Sequence, residues 1–198
     1  MASFNYLWKN RIKFKFFSVM FFKVWMKRLL LLKPIIYRNR VRKKLISYGA
    51  DIHETAEIGK IICNGNPKNI KIGSFTFIGS SVELASHTHI VVGDKVCIND
   101  GVKLLSASHD LEDPKWNHKK KAIIIDDYAW IATNAIILPG VHIGKGAVIG
   151  AGAVVSRNVE PFSIVIGNPC YPIDKKRVQD LDYNPCEFLA ANRAWLKG

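Results

Sequence analysis

A polar stretch interrupts an otherwise regular aliphatic sequence, and His109 stands where it begins. The stretch runs from Leu111 to Lys121, and the regular pattern resumes at Ile125. Loops that leave a regular scaffold often carry binding and catalytic side chains. A histidine titrates near neutral pH, so it can take the proton from a hydroxyl as that oxygen attacks an electrophile. His109 is therefore predicted to be a general base. Asp110 is predicted to be solvated, because adjacent residues on an extended chain point to opposite faces.

The other histidines lack the spacing of a metal site. His118 lies among three lysines and His142 within a regular repeat, so both are expected to be outward-facing residues. No two histidines have the five-residue spacing that a histidine-rich zinc loop would supply, and no metal site is predicted. The cysteines show no C-x-x-C pair, which favours a reduced, cytoplasmic setting. They are Cys63, Cys97, Cys170 and Cys186.

The elements that must position His109 are indicated by a six-residue repeat. Aliphatic residues recur in phase at Ile52 and Ile58; at Ile72, Ile78 and Leu84; at Val92, Ile98 and Leu104; and at Ile125, Ile131, Ile137, Ile143, Ile149 and Val155. A period of six fits neither an amphipathic helix nor an alternating strand. It predicts an all-β solenoid, a parallel β-helix whose coils are three short strands, with each aliphatic stacked on its equivalent three hexads away.

The net charge of +13 is concentrated in one part of the chain. Thirteen of the 29 Lys and Arg residues precede Asp51 and no acidic residue does, so the remainder carries 16 basic and 16 acidic residues. A neutral body argues against a nucleic-acid-binding protein. Charges at Lys23, Lys27 and Arg28 interrupt the apolar part of this segment. Neither a signal peptide nor a membrane-spanning helix is predicted there.

A helix ending near Pro34 is predicted within this basic segment. Its apolar stripe comprises Phe14, Phe17, Phe21, Val24, Trp25 and Leu32. Basic amphipathic helices with aromatic residues can lie in a membrane interface, so residues 9–44 are a candidate contact with an anionic membrane at its inner face. The alternative is a cap over the first coils, since solenoid ends need covering. The two roles are compatible.

Three motifs resemble those of hexapeptide-repeat acyltransferases of the maltose, galactoside and polysaccharide O-acetyltransferase branch. They are Trp130 to Thr133 (WIAT), Ile149 to Asn158 (IGAGAVVSRN) and Gly167 to Pro169 (GNP). The resemblance implies a left-handed β-helix, a homotrimer whose active sites are shared by two subunits, and acetyl-CoA as donor. It also implies that His109 matches the catalytic histidine of the branch.

The resemblance assigns further site residues. The coenzyme A contacts that it implies are Thr133, Ala151, Ser156 and Arg157. The branch usually has further basic residues just after the Gly-Asn-Pro motif, whereas in this chain the first one is Lys175, which is the candidate phosphate contact there. On the acceptor side the branch carries an Asn and an Asp, but Gly79 and His87 occupy those positions here. A rebuilt pocket is therefore expected, with His87, Asp110 and Trp130 as candidate substrate residues. The alternative for Trp130 is an aromatic residue that packs between coils.

The sequence thus predicts three regions. Residues 1–48 form a basic amphipathic helical segment, residues 49–175 the β-helix with a loop at 110–121, and residues 176–198 a tail with a short C-terminal helix. The predicted activity is O-acetylation of a saccharide in the biosynthesis of a surface polysaccharide or a lipid-linked glycan. Two alternatives stay open: N-acetylation of an amino-sugar nucleotide, and a non-catalytic scaffold that docks at membranes.

Overall fold

The computed structural model describes residues 2–198, and its main body is a parallel β-solenoid. Three sheets of short strands run along it, and they are parallel except for the last strand of the second sheet. The first sheet has five strands, the second seven and the third five, and the chain visits the three in turn. Helices cover the N-terminal end of this solenoid.

The helices are α1 (Phe4–Lys9), α2 (Val19–Leu30), α3 (Leu32–Ser47) and α4 (Ala190–Leu196), with 3₁₀ turns at Pro67–Asn69 and Pro185–Phe188. The strands are β1 (Asp51–Ile52), β2 (Glu57–Ile58), β3 (Ile62–Gly65), β4 (Ile70–Ile72), β5 (Phe77–Ile78), β6 (Glu83–Ser86), β7 (Ile90–Val92), β8 (Cys97–Ile98), β9 (Lys103–Leu105), β10 (Ala107–His109), β11 (His118–Lys120), β12 (Ile123–Ile125), β13 (Trp130–Ile131), β14 (Ile136–Ile137), β15 (His142–Ile143), β16 (Val148–Ile149), β17 (Val154–Val155), β18 (Ile164–Ile166) and β19 (Tyr171–Pro172).

The repeated aliphatic residues form ladders along the inside of the solenoid. In the first sheet the ladder is Ile52, Ile72, Val92, Ile125 and Ile143, each paired in register with the next. All fourteen hexad aliphatics named above are at most 7% exposed, which confirms the predicted core. The expected stacking distance of three hexads holds from Ile125 to Ile143. The step from Ile52 to Ile72 is two residues longer, and the step from Ile149 to Val165 is two residues shorter.

Small residues follow the aliphatics because successive coils approach closely. A Cβ atom built on Gly59 would lie 2.3 Å from the carbonyl oxygen of Gly79 in the next coil. That distance is far inside van der Waals contact, and backbone cannot move aside as a flexible side chain can. Glycine at this corner therefore permits the coil spacing that β-pairing requires.

The N-terminal helices are joined to the first coil by buried polar contacts. The guanidinium of Arg42, on α3, donates to the carbonyl oxygens of Ile52 and Ala56 at 3.0 and 2.8 Å, and also to that of His53. Burial without a carboxylate partner lowers the pKa of Arg42 to about 10. The fully buried Glu57 accepts from the backbone amide of Ala2 and from the side chain of Asn192. These contacts tie both ends of the chain to the solenoid.

The N-terminal segment differs from its prediction in two respects. The helix ends at Leu30 rather than near Pro34, which lies in the first turn of α3. Proline is tolerated there because the first amides of a helix have no partner within it. Phe14 also precedes α2, which begins at Val19. Among residues 2–198 no helix is both long enough and apolar enough to cross a bilayer.

The C-terminal segment returns to the N-terminal helices. Arg177 and the hydroxyl of Tyr183 both donate to the carbonyl oxygen of Tyr128, which fastens the otherwise irregular stretch after β19. The short helix α4 follows, as predicted, and its Trp195 packs in a small apolar cluster with Leu7 and Ile35.

Candidate functional site

The segment predicted as a loop at 110–121 is partly a β-hairpin. Strand β10 pairs antiparallel with β11, and His109 lies opposite His118. Of the predicted loop, residues 110–117 and Lys121 lie outside the strands. The hydrophobic pattern did not reveal β11 because its sequence, His118 to Lys120, is polar and its side chains are exposed. Backbone hydrogen bonds, not burial, define this strand.

The imidazole of His109 is held by Trp116 in two ways. Its Nδ1 lies 2.6 Å from the main-chain carbonyl oxygen of Trp116. A carbonyl can only accept, so Nδ1 carries the proton and Nε2 keeps its lone pair in the neutral ring. The ring also stacks on the Trp116 indole, with centroids 3.7 Å apart and planes at 14°. The arrangement leaves Nε2 as the atom that can accept a proton.

Asp113 organises the turn that presents Trp116. Its carboxylate accepts from the backbone amides of Lys115 at 2.9 Å and Asn117 at 3.2 Å, and its carbonyl accepts from Trp116 at 2.8 Å. These hydrogen bonds, that from Lys115 above all, hold the pKa of Asp113 below its usual range. Trp116 adopts a φ of 51°, an uncommon conformation for a bulky residue. Such conformations persist where surrounding contacts determine them.

Asp110 points away from the imidazole. Its carboxylate lies 3.2 Å from Nζ of Lys119 and accepts from the backbone amide of Glu112. The amide hydrogen bond first, and Lys119 second, lower the pKa of Asp110. The group that fixes the tautomer of His109 is thus the carbonyl of Trp116 rather than a neighbouring carboxylate.

Two further histidines approach His109. The His118 ring packs edge-on against it with centroids 4.4 Å apart, and the His87 ring lies 6.4 Å from that of His118. His118 is exposed, as predicted from its lysine neighbours, but it also contacts the candidate base. Within residues 2–198 no three His, Cys, Asp or Glu side chains are grouped so that they could hold a metal ion.

Trp130 lies on a different sheet from the hairpin. Its indole Nε1 donates to Oδ1 of Asn99 at 2.9 Å. Both residues line a cavity of about 340 Å³ between the second sheet and the C-terminal segment. The remaining lining residues are Phe77, Cys97, Arg177, Tyr183, Pro185, Phe188 and Leu189. Within one chain, therefore, the structure does not bring Trp130 together with His109.

The predicted coenzyme residues are exposed and lie on the last coils. Thr133 and Ala151 occupy stacked corners after β13 and β16, where the amide of Gly152 donates to the carbonyl of Thr133 at 2.9 Å. Ser156 and Arg157 follow β17 at another corner, and Lys175 lies beyond β19. The five residues thus occupy separate positions along one end of the solenoid.

Comparison with known proteins gives consistent relatives. Residues 122–157 match the family model described as bacterial transferase hexapeptide (six repeats). The galactoside O-acetyltransferase of Lactococcus lactis is 32% identical over 124 residues, which cover 61% of this chain and 58% of that protein. The putative colanic acid biosynthesis acetyltransferase of Escherichia coli K12 is 28% identical over 145 residues, covering 73% and 79% respectively. The chain therefore spans little more than half the length of the first of these relatives.

A solved structure extends the likeness over most of the chain. The hexapeptide-repeat-containing acetyltransferase of Vibrio cholerae, crystallised with acetyl coenzyme A, superposes with a TM-score of 0.64. The match has 26% sequence identity and covers 90% of this chain and all of that one. The likeness in fold thus extends over nine-tenths of the chain.

Proposed function

Since the chain carries the hexapeptide repeat of bacterial transferases and has the fold of hexapeptide-repeat acetyltransferases, we propose that it is an O-acetyltransferase. Acetyl-CoA is the donor, and the acceptor is a hydroxyl group of a saccharide. The observation that carries the proposal is the hydrogen bond from His109 Nδ1 to the Trp116 carbonyl. It leaves Nε2 able to take a proton, which is what direct attack of a hydroxyl on a thioester requires.

In the proposed reaction Nε2 of His109 takes the acceptor hydroxyl proton as the oxygen attacks the acetyl carbonyl carbon. The carbonyl oxygen becomes an oxyanion, which a backbone amide would stabilise. The carbon–sulfur bond then breaks, and the coenzyme A sulfur receives the proton from the imidazolium. The products are the acetyl ester and coenzyme A, and His109 regains its starting state.

Direct transfer, without a cysteine nucleophile, agrees with the raised thiol pKa values of two cysteines. Burial raises the pKa of Cys97 to about 11 and that of Cys186 to about 12, so neither thiol is a ready nucleophile at neutral pH. Direct transfer uses no cysteine, and no acyl-enzyme is proposed.

For the donor we assign Thr133, Ala151, Ser156, Arg157 and Lys175, the exposed residues of the last coils. For the acceptor we assign His87 and Asp110 beside the hairpin and Trp130 on the second sheet. Because Trp130 and His109 are apart within one chain, these assignments require a site shared between subunits. A homotrimer is the proposed assembly, and sedimentation equilibrium tests it.

The surroundings of the enzyme form the last part of the proposal. We place it in the cytoplasm at the inner face of the cell membrane, where a lipid-linked saccharide would be accessible. The support is the basic N-terminal segment, in which 13 Lys and Arg residues occur without an acidic one. Residues 9–44 would make the contact.

The test is the chemistry of the product. Purified protein is incubated with acetyl-labelled acetyl-CoA and a panel of mono- and oligosaccharides, and labelled products are treated with mild alkali. Label that is released by alkali identifies an ester and supports the proposal. Alkali-resistant label identifies an amide and favours N-acetylation of an amino sugar. Absence of acetyl-CoA binding by calorimetry would instead favour the non-catalytic scaffold.

A further inference from the structure

Helix α2 has two apolar faces, and the residues of the predicted stripe that lie on this helix form the inner one. Val24 is 1% exposed, and Phe21 and Trp25 are partly buried against the protein, whereas Phe17 of the same stripe precedes the helix and is exposed. A second set of large apolar residues on the helix faces solvent. Its members are Val19, Phe22, Met26, Leu29 and Leu30, whose exposure lies between 54% and 83%.

The outer face forms a continuous stripe. At about 100° per residue its five members fall within an arc of about 100°. Lys23 and Lys27 border the arc on one side. Phe16 and Phe17, which are 68% and 73% exposed, extend the apolar surface beyond the N-terminal end of the helix. We call the five helix residues and these two phenylalanines the α2 outer face.

The helix is held so that this face stays outward. Arg28, only 2% exposed, donates from Nε to the carbonyl oxygen of Ala194 at 3.0 Å, and from its NH2 group to those of Ile12 and Trp195. Its guanidinium also lies over the rings of Trp25 and Trp195, at 5.2 and 5.1 Å from their centroids. Turning the helix inward would bury the outer stripe only by breaking these contacts.

Charge distinguishes between the possible occupants of the α2 outer face. Exposed lysines occur within α2 and in the sequence before and after it, namely Lys13, Lys15, Lys23, Lys27 and Lys33, and no acidic residue occurs before Asp51. A second copy of the same face would bring like charges together, at a cost in free energy. An anionic lipid surface offers both an apolar medium for the stripe and negative charge for its border.

The length of the helix sets its orientation. Twelve residues at 1.5 Å each span about 18 Å, well short of a hydrocarbon core of about 30 Å. A helix of this length with one wide apolar face is suited to lie in the plane of the interface.

We propose that the α2 outer face docks this protein onto an anionic phospholipid bilayer, with α2 parallel to the surface and its inner face still packed on the protein. The inference rests on the peripheral location in the proposed function and deepens it. It does not depend on the acetyl-transfer chemistry.

Flotation with vesicles tests the proposal. Full-length protein is mixed at low salt with vesicles of phosphatidylcholine alone or of phosphatidylcholine with phosphatidylglycerol. The variant F22S/M26S/L29S removes the centre of the outer face. The matched control I62S/I124S/V178S changes three exposed aliphatic residues elsewhere in the chain. Far-ultraviolet circular dichroism checks that both are folded.

We expect wild type and control to float with the phosphatidylglycerol vesicles and the α2 variant to lose at least about tenfold in partition coefficient. Tenfold corresponds to about 1.4 kcal/mol, less than the transfer of two methylene groups to hydrocarbon. The variant K23E/K27E should reduce binding to the anionic vesicles, and added salt should do the same.

Three results would overturn the proposal. The first is that wild type does not bind anionic vesicles, and the second is that the α2 variant binds them as well as wild type. The third is that wild type self-associates in sedimentation velocity, that the α2 variant does not, and that vesicles do not change the self-association. Coenzyme A release with a water-soluble acceptor is measured on the same samples. A protein that binds vesicles without transferring acetyl groups would refute the catalytic proposal alone.

Discussion

Replacing Trp116 by alanine would measure what the indole contributes to positioning His109. The backbone carbonyl that accepts from Nδ1 remains, and only the stacked ring is removed. Stacked aromatic pairs contribute about 0.5–1.5 kcal/mol beyond burial. If that energy keeps the imidazole in its reactive orientation, its loss lowers kcat about 2- to 13-fold. Because Trp116 is 62% exposed, the unfolding midpoint should change little.

The assay is the initial rate of coenzyme A release under saturating acetyl-CoA. Trp116→Phe should restore most of the rate, since a smaller ring can still stack. Leu111→Ala, at a 92% exposed position of the same loop, is the matched control and should behave as wild type. A Trp116→Ala enzyme with unchanged kcat, or with a defect only in the KM for acetyl-CoA, would refute this positioning role.

Further predictions concern the core, the cysteines and the hairpin turn. Ile131→Ala, at a fully buried ladder position, should lower the free energy of unfolding in urea by about 2–5 kcal/mol. Ile124→Ala, at a 41% exposed position, should lower it by less than about 0.5 kcal/mol. Equal losses would contradict the assignment of Ile131 to the buried ladder. At pH 8 Cys97 should react with iodoacetamide on the order of a hundredfold more slowly than a free thiol, because burial raises its pKa to about 11. Mass spectrometry of the labelled peptides measures this rate, and a rate equal to that of a free thiol would contradict the prediction. The pKa of Asp113 is lowered in the fold, so its contribution to the turn should be present above the ordinary Asp pKa of about 3.9 and lost as the pH falls below it. The amide resonances of Lys115 and Asn117 should therefore shift in acid, with a midpoint below the ordinary Asp pKa of about 3.9; the absence of that acid shift would show that another group controls the turn.

The solenoid could be predicted because its core repeats in the sequence. Each inward position needs an aliphatic side chain and each tight corner a small residue, so a six-residue period carries the fold directly. The two extra residues in the early coils were not anticipated. Corners are exposed and tolerate insertion without disturbing the ladders, and they leave no periodic signal.

The site was harder to predict because its contacts are local and polar. His109 could be identified from its type and its place at the break in the repeat. Trp116 could not, because its contact with His109 requires the hairpin and a left-handed backbone conformation, and neither is encoded in hydrophobic spacing. An aromatic residue within a polar loop, three positions after Asp113, is the signal that could have directed attention to it. The two faces of α2 posed a similar difficulty, since both are apolar.

The role of His109 as the base is tested by coenzyme A release from acetyl-CoA with a panel of glycan acceptors, comparing wild type with His109→Ala. We expect acceptor-dependent release by the wild type and a loss of at least about a hundredfold in the variant, with acetyl-CoA binding retained. Equal release by the two proteins would show that His109 is not the base, and the site proposed at the β-hairpin would then be wrong.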